Sequence, residues 1–335
     1  MAQYTGIQGQ NILIVSSDPA NPTEGQIWYN TTSNTLKAYL NTGTGVWTSA
    51  ANLPYSAGDM GGAGITSAAL AIGGDANGGP APAGLGTTNT IAFNGTAWTS
   101  VAPSNIGRWA FASGGSQTAA WQATGDRGNP APVDLTNSSE SWSGSSWTTQ
   151  GNVNTQRDGV LGTGVSTAGI MAGGGSNTSP TELFNGSSWT NGPSLATGRR
   201  YMTIFGTQTA CIGLGGGPPV TNQVQSYNGS AWTSLPATYP ASAQQIFSFG
   251  SQTLAVASGG YNGTANITTS NTWNGTTWTS SPSMASARSA GGSTKFATDN
   301  SSGLAIAGYN DAPGRTTATE QWTYPEIGTR TITVS

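Results

Sequence analysis

The sequence predicts an all-β fold, a ring of four-stranded sheets (a β-propeller) with a small β appendage at its N-terminal side. Two observations carry this. First, an aromatic residue, an Asn-Gly-type turn and a Trp-Thr pair recur along the chain. The copies are Phe93-Asn94-Gly95-Thr96-Ala97-Trp98-Thr99, Trp142-Ser143-Gly144-Ser145-Ser146-Trp147-Thr148, Phe184-Asn185-Gly186-Ser187-Ser188-Trp189-Thr190, Tyr227-Asn228-Gly229-Ser230-Ala231-Trp232-Thr233 and Trp273-Asn274-Gly275-Thr276-Thr277-Trp278-Thr279. The steps from Trp98 to Trp147, Trp189, Trp232 and Trp278 are 49, 42, 43 and 46 residues, the period of a propeller or solenoid repeat. Second, an apolar run closed by glycine precedes each hairpin. It is clear in Leu70-Ala71-Ile72-Gly73-Gly74, Ile170-Met171-Ala172-Gly173-Gly174, Ile212-Gly213-Leu214-Gly215-Gly216 and Val256-Ala257-Ser258-Gly259-Gly260, and weaker in Ala123-Thr124-Gly125-Asp126 and Ile306-Ala307-Gly308-Tyr309.

Each element follows from these marks. Continuous small and apolar residues suit a strand buried on both faces. A further apolar strand lies upstream, as in Tyr201–Gly206 and Gln245–Gly250. Asn-Gly tolerates positive φ and closes a hairpin between the two aromatic-bearing strands. One period thus holds four strands, the content of a propeller blade. Six Gly-marked strands accompany only five complete hairpins. The sixth aromatic strand, Thr319-Glu320-Gln321-Trp322, lacks a Trp-Thr partner, and Val46-Trp47-Thr48 stands spare near the start. The simplest ring has six blades, with the N-terminal strand completing the last and protecting its edge. A seventh blade would need Gln26–Leu40 and the C-terminal tail. The expected division is 1–45 as arm and β-meander, 46–325 as propeller and 326–335 as a terminal strand.

The order of Gly-Gly, aromatic and Trp marks over residues 46–324 resembles the Kelch pattern, though this chain carries less charge around those marks. The stretch Gly25–Thr48, with Gly25-Gln26-Ile27-Trp28-Tyr29-Asn30, Thr35-Leu36-Lys37 and a Trp strand, resembles a short module of tailed-phage structural proteins, fibres especially. The ending Arg330–Ser335 is similar to those of Kelch-like proteins of marine phages. The resemblance implies a virion protein, a tail-fibre or tail-tip component that attaches to host-surface glycan, with a capsid decoration or head-fibre protein as a rival. A free lectin-like propeller is a further reading. The implied partners are other virion proteins, met through the N-terminal segment, and copies of itself. Residues 1–17, with Ile12-Leu13-Ile14-Val15, could form an arm that adds a strand to a neighbouring subunit or to the chain's own first blade.

Composition narrows the chemistry. Histidine is absent, charged residues are 7% and the net charge is −3. No Ser-His-Asp triad, Cys-His pair or ordinary zinc site can be built, and no basic field invites nucleic acid. No apolar run reaches the length of a membrane helix. No secretory leader is visible at Met1-Ala2-Gln3-Tyr4, so the expected site of synthesis is a cytoplasm. Cys211 reads as a small core residue. The expectation is a protein without cofactor, metal or catalysis. Two carboxylates could still hydrolyse a glycoside. Asp126 and Asp311, in loops after the second strand, are the pair that a ring could bring to one face, whereas Glu140, Glu182 and Glu320 recur with the blade and read as scaffold.

Arg108, Arg157, Arg199 and Arg288 each fall ten residues after a blade Trp; Ser242 and Ala57 take that place after Trp232 and Trp47. A ring would bring the four arginines to one face. They either bind an anion, such as an acidic glycan or lipopolysaccharide phosphate, or bond carbonyls of adjacent blades. The loops after the Gly-marked strands vary most, and variable loops on a rigid frame carry recognition. Trp109 and Tyr261 are the candidates there for stacking on sugar rings; Trp121 reads as core.

Overall fold

A computed structural model describes residues 12–20, 22, 26–40, 44–77, 85–128, 134–296, 299–311, 314–324 and 328–332. The protein is all-β, and among the described residues no helix is long and apolar enough to cross a membrane. The chain divides into two compact units, residues 1–44 with 324–335, and residues 45–323.

The larger unit is built of six sheets. We letter the strands of each a to d from the innermost outward. The first sheet joins Gly61–Ile65, Ala68–Ile72, Thr90–Phe93 and Trp98–Ser100. The second joins Ala112–Gly115, Ala120–Ala123, Ser139–Trp142 and Trp147–Gln150. The third joins Leu161–Val165, Ala168–Ala172, Thr181–Phe184 and Trp189–Gly192. The fourth joins Thr203–Gly206, Cys211–Leu214, Val224–Tyr227 and Trp232–Ser234. The fifth joins Phe247–Gly250, Ala255–Ser258, Ser270–Trp273 and Trp278–Ser281. The sixth takes its strands a to d as Gly292–Ser293, Ser302–Tyr309 and Arg315–Thr323 from the chain's end and Val46–Ala50 from near its start, and Ser56–Gly58 and Asp75–Asn77 extend it to six strands. In that last pairing Trp47 stands opposite Trp322. The a strands touch their neighbours in turn, sixth against first included, so the ring closes.

Two local expectations are corrected. Strand a begins at Thr203 and Phe247, not at Tyr201 and Gln245, because those two residues adopt φ of 58° and 55°. The aromatic hairpin is wider than a two-residue turn. Phe93 pairs with Trp98, so four residues form the loop. Gly95 alone supplies positive φ, at 93°. Asn94 serves instead as an acceptor, its Oδ1 taking the N–H groups of Thr96 and Ala97 at 3.0 and 2.8 Å.

The glycine pair after strand b is required by crowding. A Cβ on Gly173 or Gly215 would overlap the carbonyl oxygen of Arg199 or Ala243 on the next connector, and both glycines have positive φ. The weaker copies keep the geometry without the first glycine: Thr124 and Ala307 take φ of 56° and 52°.

Tryptophans tie sheet to sheet. The strand-d indole N–H of Trp147 donates to Thr90 Oγ1, that of Trp232 to Thr181 Oγ1 and that of Trp47 to Ser270 Oγ, at 2.9, 3.0 and 2.9 Å. In each case the acceptor opens strand c of the preceding sheet. Trp278 meets Val224 at that place and its indole N–H has no partner. Trp121 is wholly buried against Phe184 and Trp189 of the next sheet. Cys211 is buried in the fourth sheet, and burial raises its thiol pKa.

The smaller unit is a sheet in which Leu13–Val15, Ile27–Asn30, Thr35–Leu40 and Gly328–Thr331 lie side by side. Leu13–Val15 runs parallel to Ile27–Asn30. It therefore belongs to this sheet, and the expectation that it extends the first blade is not met. Residues 1–11 of the arm lie outside the described set. Asp18 knits the sheet, accepting from Lys37 Nζ, Trp28 Nε1 and Asn30 Nδ2 at 2.7, 3.0 and 2.7 Å. The Lys37 bond leads these contacts in holding its carboxyl down at about 2.

Candidate functional site: the channel mouth

The connector arginines come first, because sequence placed a ligand there. Arg108 is fully buried; it donates to Glu140 Oε1 at 2.8 Å and to the carbonyls of Thr124 and Ser138 at 2.8 and 2.9 Å. Arg157 pairs with Glu182 at 2.6 Å and Arg288 with Glu320 at 2.5 Å, with all four side chains at most 4% exposed. Each glutamate also accepts two connector N–H groups, for example Asn105 and Ile106 on Glu140. The expected anion site at Arg108, Arg157, Arg199 and Arg288 is thus corrected: all four side chains are buried in the scaffold, three of them paired with glutamate, and none is open to a solvent ligand.

Arg199 departs from the pattern. Gln225 stands where the other three connector arginines meet glutamate, capping Ala196 N and Thr197 N through Oε1. Arg199 reaches only the carbonyls of Gly215 and Gln223, at 2.7 and 2.9 Å, and its Nε and NH2 have no partner. Burial pulls this guanidinium down to about 10. Gln225→Glu supplies the missing carboxylate with both caps retained. The expected result is a gain of about 1 kcal/mol in unfolding free energy, since a charge-assisted bond is worth about 1.5–3 kcal/mol before desolvation is subtracted. Urea midpoints of the two proteins check it; an unchanged or lower midpoint contradicts it.

The loop candidates are placed separately. Trp109 bridges Asp126 across the second sheet's loop, and Tyr261 bridges Gln244 and Asn266 in the fifth. Both rings are half-buried. Asp126 Oδ1 accepts from Gly128 N and Asp134 N at 2.8 and 3.1 Å, and Asp311 accepts from Asn266 Nδ2 at 2.9 Å. Asp126 is thus held within its own loop, whereas Asp311 is tied to the neighbouring loop of the fifth sheet.

What the geometry assembles lies two residues beyond each connector arginine and beyond Ala57, and three beyond Ser242. Asp59, Ala110, Gly159, Tyr201, Gln245 and Ala290 occupy equivalent places and all have positive φ, from 48° to 58°. Their amides link successive connectors: Ala110 N donates to Asp59 O, Tyr201 N to Gly159 O, Gln245 N to Tyr201 O and Ala290 N to Gln245 O, at 2.7–3.0 Å. All six line one cavity at the centre of the ring. The chain therefore enters every strand a through a left-handed residue at the channel mouth.

Three of the six carry functional side chains. Gln245 Nε2 donates to Asp59 Oδ1 at 2.9 Å. Arg200 lies over the Tyr201 ring at 4.4 Å and pairs with Asp158. Nearby, Tyr309 donates to Asp75 Oδ2 at 3.0 Å, and Arg315 pairs with the same carboxylate. Asp59 opens onto the channel yet is enclosed by protein, and desolvation pushes its carboxyl up to about 7 against the bonds from Gln245 and Tyr309. Sequence reasoning missed these residues because three of the six equivalents are Ala or Gly, so no side-chain repeat marks the ring. The offset of two from the arginine position, kept in five of the six sheets, was the available signal.

A raised acid pKa gives a definite sign. The folded state holds the Asp59 proton more tightly than the unfolded state, so this group's stabilisation is complete below pH about 4 and is lost as pH rises through about 7. Asp59→Asn is expected to flatten the fall in stability between those values and to unfold at a higher temperature than the parent at pH 8. Parallel melting curves from pH 4 to 8 test this; parallel slopes for both proteins contradict it.

Chemically, the mouth offers a carboxyl, an amide and a phenol to a ligand rich in hydroxyls. No cluster of three or more potential metal ligands occurs among the described residues. No protein-family model matches the chain, and no curated protein does. Among solved structures 260 chains match. One, described as the structure of YjhT, is 14% identical with a TM-score of 0.65, over 85% of this chain and 99% of that one. At that identity the likeness speaks to fold, and together with the repeated sheets it makes this chain an all-β protein of propeller fold.

Proposed function

We propose that this chain is a non-enzymatic structural protein of a tailed-phage particle, a tail-fibre or tail-tip component whose ring attaches to host-surface glycan. The observation that carries the reading is the outer strand of the smaller unit, which pairs on one side only among the described residues. Strand Leu13–Val15 borders that sheet, and Ile12, Leu13 and Ile14 are 40%, 45% and 71% exposed. An apolar edge strand is a template for a neighbouring subunit. The resemblance of Gly25–Thr48 to phage structural modules supports the same assignment, as does the Kelch-like order of marks in the ring.

A binding role is supported over catalysis by how the carboxylates are used. Among the described residues the three glutamates are all buried members of arginine pairs. The mouth residues Tyr201, Gln245 and Asp59 then serve recognition, with the surrounding loops. Two measurements test this. Immunogold labelling of intact particles is expected to mark the tail; label on the head makes the protein a capsid decoration, and no label removes it from the particle. Purified protein is expected to adsorb to host cells, and Tyr201→Ala with Gln245→Ala to reduce adsorption at least tenfold. Adsorption that is absent, or unaffected by the pair, overturns the attachment role.

A further inference from the structure

The cavity that opens at Asp59 is also lined by a lysine. From Ala290 at the mouth the chain runs through strand a of the sixth sheet, Gly292–Ser293, to Lys295. Lys295 is 8% exposed. Its Nζ reaches across the ring to Ile204 O in the fourth sheet at 3.1 Å and Ser248 Oγ in the fifth at 3.4 Å. An ammonium has three donors, so these contacts leave one unused.

We propose that the part of this cavity beside Lys295 is a binding site for a small monovalent inorganic anion of halide size, held by Lys295 Nζ and the Ser293 hydroxyl. Three observations lead to it. The first is charge. Lys295 makes no ion pair among the described residues, and burial alone pulls its amine down to about 7. An unpaired ammonium taken out of water costs several kcal/mol, which a counter-ion offsets. Asp59 and Tyr201 are the other titratable groups lining the cavity, and neither acts on the lysine. The counter-ion therefore comes from solvent.

The second is space. The cavity holds about 40 Å³, and its lining includes Gly62, Ser113, Gly162, Ser293 and Lys295. A water-sized particle takes about 10–15 Å³ by this measure, so a halide fits and a hydrated phosphate does not. The third is an idle donor. Ser293 is 4% exposed and lines the cavity, and its hydroxyl bonds to no protein group, whereas Ser113 Oγ is engaged with Gly62 O at 3.2 Å. A hydroxyl and an ammonium converging on one small space form a donor set for an anion and offer little to a cation.

The proposal is independent of the function proposed above. Its test uses the whole protein in gluconate buffer at constant ionic strength and pH 6, where the amine carries its proton. Replacing gluconate by chloride or bromide up to 100 mM is expected to raise the melting temperature by roughly 2 °C or more, and Lys295→Met to abolish the rise. An equal response in both proteins, or none in either, overturns the site. Should Lys295→Met fail to fold, crystals of the unaltered protein soaked in bromide decide. An anomalous peak between Nζ and Ser293 is the expected result, and its absence at full bromide exchange sinks the idea.

Discussion

Glu140→Ala is expected to lower the unfolding free energy by about 3–5 kcal/mol, the cost of breaking a buried ion pair from one side. Both side chains of the Arg108–Glu140 pair are 0% exposed. The glutamate accepts four bonds: from Arg108 at 2.8 Å, Gln122 at 3.1 Å, and the amides of Asn105 and Ile106 at 2.7 and 3.3 Å. Alanine strands a guanidinium among carbonyls and uncaps the connector that leads to the mouth. Glu140→Gln retains an acceptor for the amides and should lose less, because the fourth sheet already carries Gln225 beside Arg199. Urea unfolding at pH 7 separates the three proteins by midpoint, with an unchanged slope showing that the denatured state is not the cause. A loss under 1 kcal/mol for Glu140→Ala would mean that water enters the pair and the connector is not held as described.

The same pair shows where sequence reading stops. The arginine period and the glutamates before each strand-c aromatic are both visible in the chain, but as separate series. Their union is not, since Arg108 and Glu140 stand 32 residues apart and Arg157 and Glu182 stand 25 apart. Only the stacking of connector on strand c joins them. The strands and the closing role of Val46–Ala50 were legible because aromatic spacing and strand periodicity are local signals. The mouth was not, because Asp59, Tyr201 and Gln245 share a backbone conformation and no side-chain type. Lys295 was silent for a related reason: among the described residues it is the one cation that lines the channel, so repetition could not announce it. The edge strand Leu13–Val15 was legible as a strand but not in its partner, which its short apolar run does not specify.

Trp322→Ala is the second large expectation, again about 3–5 kcal/mol. Thr48 and Gln321 meet across the closing pair although 273 residues separate them. Bringing such distant segments together costs roughly 5 kcal/mol of chain entropy, and five register pairs from Val46 to Ala50 must offset it. Trp322 is wholly buried, lies 5.5 Å from the Trp47 ring and donates its indole N–H to Asn300 O at 3.0 Å. Gly45 leaves it room, since a Cβ there would overlap the indole. Trp47 in turn reaches the fifth sheet, 6.2 Å from Phe249 and bonded to Ser270, so it fastens two sheets while remaining half-exposed. Trp47→Ala should therefore cost less, about 2 kcal/mol, and the double variant should fall short of the sum by about 0.5–1.5 kcal/mol, the worth of an aromatic pair. Amide exchange at Val46–Ala50 should quicken in each single variant ahead of global unfolding. Strict additivity, or exchange that quickens evenly through all six sheets, would mean that the first and last segments are not what keeps the ring shut.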